Sequence, residues 1–239
     1  NTIEEKSELI GKIGIENLII HPFDQKFSRL TAEEFVKTIL VDLLNIKKII
    51  IGYDHRFGRN RTANIDDLIV YGKQYDFEVE QISAQEINDN AVSSTKIRNA
   101  ILEGNISLAN KYLGYNYTFS GEVVKGKQLG RTIGFPTANI QIKESYKLIP
   151  KNGVYIVKSN YDGNTIFGMM NIGNRPTVNG ENQTIEVNFF DFDTDIYNKI
   201  ISIEILDFIR EEQKFDSLDS LKSQLNKDQQ TSLSYISKI

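Results

Sequence analysis

The chain of 239 residues contains no cysteine. Disulfides, thiolate metal sites and cysteine nucleophiles are therefore excluded. It also contains no apolar run approaching the roughly 20 residues that a bilayer span requires. No stretch has the charged, apolar and small-residue order of a secretory signal. Nor is there an excess of positive charge: 28 Lys and Arg against 32 Asp and Glu give a formal net charge of −4. A chain with that balance is a poor general binder of nucleic acid or anionic membrane. No internal repeat or low-complexity segment interrupts it. A cytoplasmic enzyme is the expected class.

What is present suffices for two folded domains. Forty per cent of the residues are hydrophobic, among them 13 Phe and 11 Tyr, enough to fill real cores. Because the overall balance is acidic, local basic clusters are informative. Arg56, Arg59 and Arg61 form one, and Lys125, Lys127 and Arg131 another. Neither cluster includes an acid, and both lie among glycines. Each is a solvated loop or a phosphate site. The chain opens on Asn in a helical-looking stretch (Ile3, Leu9, Ile10, Ile13), so the opening strand of its first domain is expected to lie outside it.

The first half alternates strand and helix. Residues 15–20, ending at His21-Pro22, read as a buried strand, as do 48–51, stopping at Gly52; residues 77–82 read as a third strand. Thr31-Ala32-Glu33-Glu34 has capping-box spacing and opens a helix whose apolar face is Phe35, Ile39 and Leu43. Residues 65–75 read as a further helix. Ser93-Ser94 caps another that runs through Glu103 to Gly104. This alternation predicts a parallel, doubly wound sheet, with ligands beyond the carboxyl ends of its strands, where Gly52 and Ser93 fall. A short helix over 107–113, stopped by Gly114, serves as the linker. The expected domains are therefore 1–114 and 115–239.

Beyond Gly114 the pattern changes. Residues 118–124, 153–159, 165–172, 184–191 and 200–206 read as strands, with Asp162-Gly163 and Asn179-Gly180 as turns. Such spacing predicts an antiparallel barrel. Residues 217–225 close the chain as an amphipathic helix presenting Leu218, Leu221 and Leu225.

Four motifs carry chemistry. The first runs from Gly121 through Lys125-Gly126-Lys127 and Gly130-Arg131 to Gly134-Phe135-Pro136-Thr137-Ala138-Asn139. Glycines let backbone N–H groups approach phosphate oxygens, and the cations add charge. Thr137 and Asn139 supply neutral oxygens of the kind that hold hydrated Mg²⁺ beside a nucleotide. The Gly-Lys-Ser/Thr ending of a Walker loop is missing. The second motif is Thr184-Ile185-Glu186-Val187-Asn188. In a strand, Glu186 and Asn188 face away from Ile185 and Val187. Glu186 is then either a surface glutamate or a general base for a substrate hydroxyl. The third motif is Gly52-Tyr53-Asp54-His55-Arg56-Phe57-Gly58. The fourth is Ser93-Ser94-Thr95-Lys96-Ile97-Arg98 at a helix N-terminus, where unpaired N–H groups suit anions.

In this order and spacing the four motifs resemble the prokaryotic bifunctional riboflavin kinase/FMN adenylyltransferases. The kinase module is the more specific match, through Gly134-Phe-Pro-Thr-Ala-Asn139, Asn171-Ile-Gly-Asn-Arg-Pro-Thr177, Glu186, and Phe208-Ile-Arg210 to Phe215. The resemblance implies a partial Rossmann-like nucleotidyltransferase domain followed by an antiparallel β-barrel kinase domain with a C-terminal helix. It implies riboflavin, FMN/FAD and ATP/ADP as partners, Mg²⁺ as cofactor, and no nucleic acid or membrane. Glu186 would deprotonate the ribityl hydroxyl. Gly126, Lys127, Gly130, Arg131, Gly134, Thr137 and Asn139 would bind ATP phosphates, with Thr137 and Asn139 on the metal. Arg210 and Phe215 would meet the flavin. Gly52, Asp54, Ser94, Thr95 and Arg98 would contact a second ATP. Two departures stand out. The family's His-x-Gly-His motif is not in this chain, whose two histidines are His21 and His55. Asn188 stands where relatives often carry histidine, which is expected to affect tuning.

Overall fold

A computed structural model describes residues 1–239 except 53, 84–85, 88–89, 127 and 178–179; side chains of 84–91 and 175–182 are also outside the described set. The chain divides into two compact units, Asn17–Val92 on one hand and Asn1–Glu16 with Ser93–Ile239 on the other.

In chain order, α1 (Ile3–Lys12) begins the larger unit. The smaller unit then contains α2 (Gln25–Ser28) and α3 (Ala32–Glu34), which continues as a π-helix over Phe35–Leu43. The capping box at Thr31 is formed, its hydroxyl meeting Glu34 N–H and the Glu34 carboxylate meeting Thr31 N–H. β1 (Lys48–Gly52), α4 (Ile65–Tyr75) and β2 (Glu78–Ile82) follow, and β1 and β2 pair in parallel, as expected. A small antiparallel pair, β3 (Glu86–Ile87) and β4 (Asn90–Ala91), ends this unit.

Three expectations in and next to this unit fail in whole or in part. Residues 15–20 belong to no strand, and Ile15, Leu18, Ile19 and Ile20 are exposed. A short apolar run becomes a strand only where a neighbour accepts its backbone bonds, and the ladder of β1 is made with β2. In β1 itself Ile51 is buried, whereas Ile50 is exposed. The helix after Thr31 buries Val36 and Leu40; of the expected stripe, Phe35 packs partly buried on the same core, Ile39 is half-buried and Leu43 is exposed.

The larger unit resumes with α5 (Ser94–Leu102), capped by Ser93, and α6 (Ile106–Leu113), stopped by Gly114 in the left-handed region. Then come β5 (Thr118–Val124), α7 (Leu129–Thr132), β6 (Ala138–Gln141), β7 (Gly153–Tyr161), β8 (Asn164–Thr177), β9 (Gly180–Phe189), β10 (Ile200–Arg210) and α8 (Leu218–Ile236). The strands close into a barrel in the order β10-β5-β6-β9-β8-β7. Strand β6 was not expected from the sequence. Its four residues are too few to show alternation, and they follow a Gly-Phe-Pro stretch that reads as loop. Phe119, Tyr155, Val157, Met170, Val187 and Ile203 fill the interior with other apolar residues from every strand.

Helix α1 joins this barrel through its polar side. Glu5 and Lys147 form an ion pair of 2.5 Å with side chains 8% and 1% exposed. Glu5 also accepts from Ser120 N–H, and Lys147 donates to the Thr118 carbonyl. Both buried charges are thereby paired and hydrogen-bonded, the condition under which burial is tolerated.

Candidate active site

The site is built on the outer face of strand β9. Ile185 and Val187 point into the core, so Glu186 and Asn188 point out, as period-2 alternation requires. That outer face is covered. Glu186 is half-buried, and Asn188 is buried with its amide donating 2.7 Å to the Pro136 carbonyl. Asn139 on β6 lies directly opposite Glu186, and Asn171 on β8 opposes it from the other side. The Thr137 hydroxyl donates to Glu186 Oε2 at 3.0 Å. Thr137, Asn139 and Glu186 are thus brought together by strand register and one short loop.

The glycine-rich lead-in folds over this row. A Cβ on Gly126 would overlap the Asn139 amide, and one on Gly130 would overlap the Phe135 carbonyl oxygen. Backbone therefore runs where any side chain would collide. Gly134 has φ +87° and open space around it. Arg131 is exposed in the short helix α7, and Lys127 lies outside the described residues.

Two pockets meet at Thr137. One, of about 360 Å³, is mostly apolar: Glu186 and Asn171 face Met169, Phe215, Leu221 and Leu225, with Arg210 in the wall. The other, of about 430 Å³, runs along Arg131, Pro136, Thr137 and Ala138 to the 192–197 loop. Thr137 lines both. The sequence reading missed the second wall, Phe192 to Tyr197. Nothing in the spacing of Asp193 and Asp195 there marks a site.

Arg210 and Phe215 reach the apolar pocket by identifiable means. The ladder between β7 and β10 is irregular between Phe208 and Arg210, and such a bulge re-aims the side chains beside it. The Arg210 guanidinium then meets Asp228 of α8 at 2.7 Å, with Phe215 5.8 Å from its carbon.

The remaining expected residues divide between the units. Gly52 ends β1, and Asp54 follows it, exposed, in a turn closed by His55 N–H on the Gly52 carbonyl. Arg56, Arg59 and Arg61 are exposed there too, around a loop in which Asn60 and Arg61 have φ 58° and 55°. Ser94, Thr95 and Arg98 lie in the other unit, exposed on the first turns of α5. Ser93 caps that helix by accepting from Lys96 N–H.

A closed antiparallel barrel with a hydroxyl, an amide and a carboxylate between two pockets, in a chain that also has a parallel α/β unit, matches the architecture expected of a barrel kinase joined to a nucleotidyltransferase-like domain. Comparison with known proteins agrees. A riboflavin kinase family model matches residues 113–236, and an FAD synthetase model matches residues 1–96. The bifunctional riboflavin kinase/FMN adenylyltransferase of Listeria monocytogenes is 39% identical over 238 residues, 99% of this chain and 75% of that protein. The protein of the same name from Buchnera aphidicola subsp. Schizaphis graminum is 41% identical over 231 residues, covering 95% and 73%. A crystal structure described as a macrolide-efflux protein from Streptococcus pneumoniae superposes with a TM-score of 0.88 at 36% identity, covering 97% of this chain and 74% of that one. Among the described residues no helix is long and apolar enough to cross a membrane. The chain belongs to the bifunctional riboflavin kinase/FMN adenylyltransferase family, whose members are kinases and nucleotidyltransferases that use ATP as a substrate.

Proposed function

We propose that the barrel phosphorylates riboflavin with ATP, giving FMN and ADP, and that residues 1–114 serve adenylylation of FMN by a second ATP. The observation that carries the first reaction is the Thr137–Glu186 hydrogen bond at the seam of the two pockets. The apolar pocket suits a flat ring system and lies within the size range of small-molecule sites. The pocket beside Arg131 suits the nucleotide, with Gly126, Gly130 and Gly134 giving phosphate oxygens access to backbone and Lys127 adding charge. Phe215 and Arg210 belong to the flavin side.

Glu186 would take the proton of the ribityl 5′-hydroxyl as its oxygen attacks the terminal phosphorus of ATP, with ADP leaving. Thr137 orients that carboxylate, and Leu221 and Leu225 line the same pocket. Among the described residues no three His, Asp or Glu side chains cluster as a metal site. The hydroxyl, amide and carboxylate oxygens of Thr137, Asn139 and Glu186 are nonetheless the hard donors that Mg²⁺ accepts when phosphates complete its shell. Thr137 and Asn139 would hold the ion, which when bound neutralises phosphate charge. Gly52, Asp54, Ser94, Thr95 and Arg98 would contact the second ATP. A cytoplasmic setting belongs to the same reading, because both reactions draw on ATP.

The test is incubation with riboflavin, ATP and Mg²⁺ followed by chromatography of the flavins. FMN is the expected product of the barrel. FAD in addition reports a working first domain, and FMN alone favours a kinase joined to a scaffold. Flavin binding without product would overturn the kinase reading. Glu186→Gln is expected to lower turnover by about 10²–10⁴-fold, the usual scale for loss of a general base. Near-normal turnover would remove Glu186 from the mechanism.

A further inference from the structure

Asp228 lies midway along α8 with its side chain 1% exposed. A carboxylate buried to that degree requires full pairing. Arg210 provides it: Nη2 donates to Oδ2 at 2.7 Å, and Nε donates to Oδ1 and Oδ2 at 3.0 and 3.1 Å. Gln224, one turn earlier on the helix, donates to Oδ1 at 2.9 Å. Arg210 Nη1 is directed to the Glu211 carbonyl at 2.9 Å. The guanidinium is therefore held from both edges, with the Phe215 ring over it.

This arrangement has a consequence for the apolar pocket. Arg210, Phe215, Leu221 and Leu225 all line it, whereas Asp228 does not. One buried carboxylate sets the orientation of Arg210 and ties the helix that carries the two leucines to β10. The rigid fork of arginine makes such a tie directional, so the carboxylate specifies angle as well as distance.

We propose that Asp228 is a positioning residue for flavin binding: it latches α8 to Arg210 and so sets the wall formed by Arg210, Phe215, Leu221 and Leu225. This rests on the reading of the pocket as the flavin site. Asp228 acts through Arg210 and touches no reacting atom.

Riboflavin affinity, measured by quenching of flavin fluorescence, and FMN formation test the latch in wild type, Asp228→Asn, Asp228→Glu and Gln224→Leu. Asp228→Asn keeps the volume and removes the charge. Its riboflavin Kd and KM are expected to rise about tenfold, the scale of one charge-assisted hydrogen bond. KM for ATP, and kcat at saturating riboflavin, are expected to stay within about twofold, because uniform binding alone is lost. Asp228→Glu is expected to recover part of the affinity. A merely structural loss would lower Tm and the active fraction while leaving riboflavin Kd unchanged, and that outcome overturns the proposal. If Asp228→Asn does not fold, Asp228→Glu decides, since it keeps the charge and moves the carboxylate by one methylene: a Kd raised above wild type supports the latch, and a wild-type Kd overturns it. Gln224→Leu, which leaves the ion pair, is expected to keep the wild-type Kd. If wild type binds riboflavin but forms no FMN, the kinase reading fails, and the Kd comparison still judges Asp228. If wild type binds no riboflavin, both fail.

Discussion

The two units solve the same problem differently. The barrel closes its sheet, so every strand has two neighbours and each interior residue has a fixed face. In the Asn17–Val92 unit the parallel sheet has two strands among the described residues, and Ile50, Ile69, Val70 and Ile82 are exposed. Burial in the barrel follows from the strand's own alternation. Burial in a parallel sheet depends on what lies over each face and beside each edge. The difference teaches that an apolar run has a secure meaning only where its partners are also specified.

The buried ion pair at the barrel is the place to break this contrast most strongly. Lys147→Met leaves Glu5 buried without a counter-ion. Removing one partner of a buried pair costs about 3–5 kcal/mol. Hydrogen exchange should show that loss in β5 and its barrel neighbours, with amides of α4 and β2 unchanged. An equal loss in both units would mean that they unfold together. A second, paired comparison is milder. Ile203 is fully buried in the barrel, and Ile50 is 58% exposed on β1. Ile203→Ala is expected to cost about 2–5 kcal/mol, and Ile50→Ala no more than about 0.5 kcal/mol. A large effect at Ile50 in denaturant titration would show that β1 is covered in solution.

The same contrast explains what could be read from the sequence. Helices α4, α5 and α6 and strands β5 and β7 were legible because caps, glycine stops and alternation are local signals. Glu186 was legible as a residue facing away from the core, but alternation alone left it either a surface glutamate or a base. Its partners Asn139 and Asn171 come from other strands and Thr137 from the loop before β6, and register is set by the closed sheet rather than by spacing along the chain. Phe192 to Tyr197 escaped notice because a loop becomes a pocket wall only once the barrel places it. Arg210 was singled out for the flavin, yet its nearest charged partner, Asp228, is 18 residues away and joins it only after α8 docks. Residues 15–20 were misread for the opposite reason: the local signal was clear and the neighbour was missing.

The smallest expected effect concerns alkaline stability. Burial raises the pKa of Tyr117 and of Tyr155 above the ordinary 10.0, with Glu5 adding to the shift at Tyr117. A group whose folded pKa is raised contributes stability that is present below its unfolded pKa and lost as pH climbs toward the folded value. Lys147 runs the other way. Burial lowers its pKa against the raising influence of Glu5, so its contribution improves as pH approaches 10.5 from below. The barrel should therefore hold its stability up to about pH 10 and lose it above that, where the unfolded tyrosines ionise. Tyr155→Phe removes one of these ionisations together with the hydroxyl bond to the Lys151 carbonyl. At neutral pH the lost bond should cost about 1 kcal/mol. Above about pH 10 the variant should lose stability with pH less steeply than wild type, so the two denaturant midpoints converge. Parallel curves across that window would mean that the Tyr155 hydroxyl already ionises freely in the folded barrel, and that its burial in the core has no electrostatic consequence.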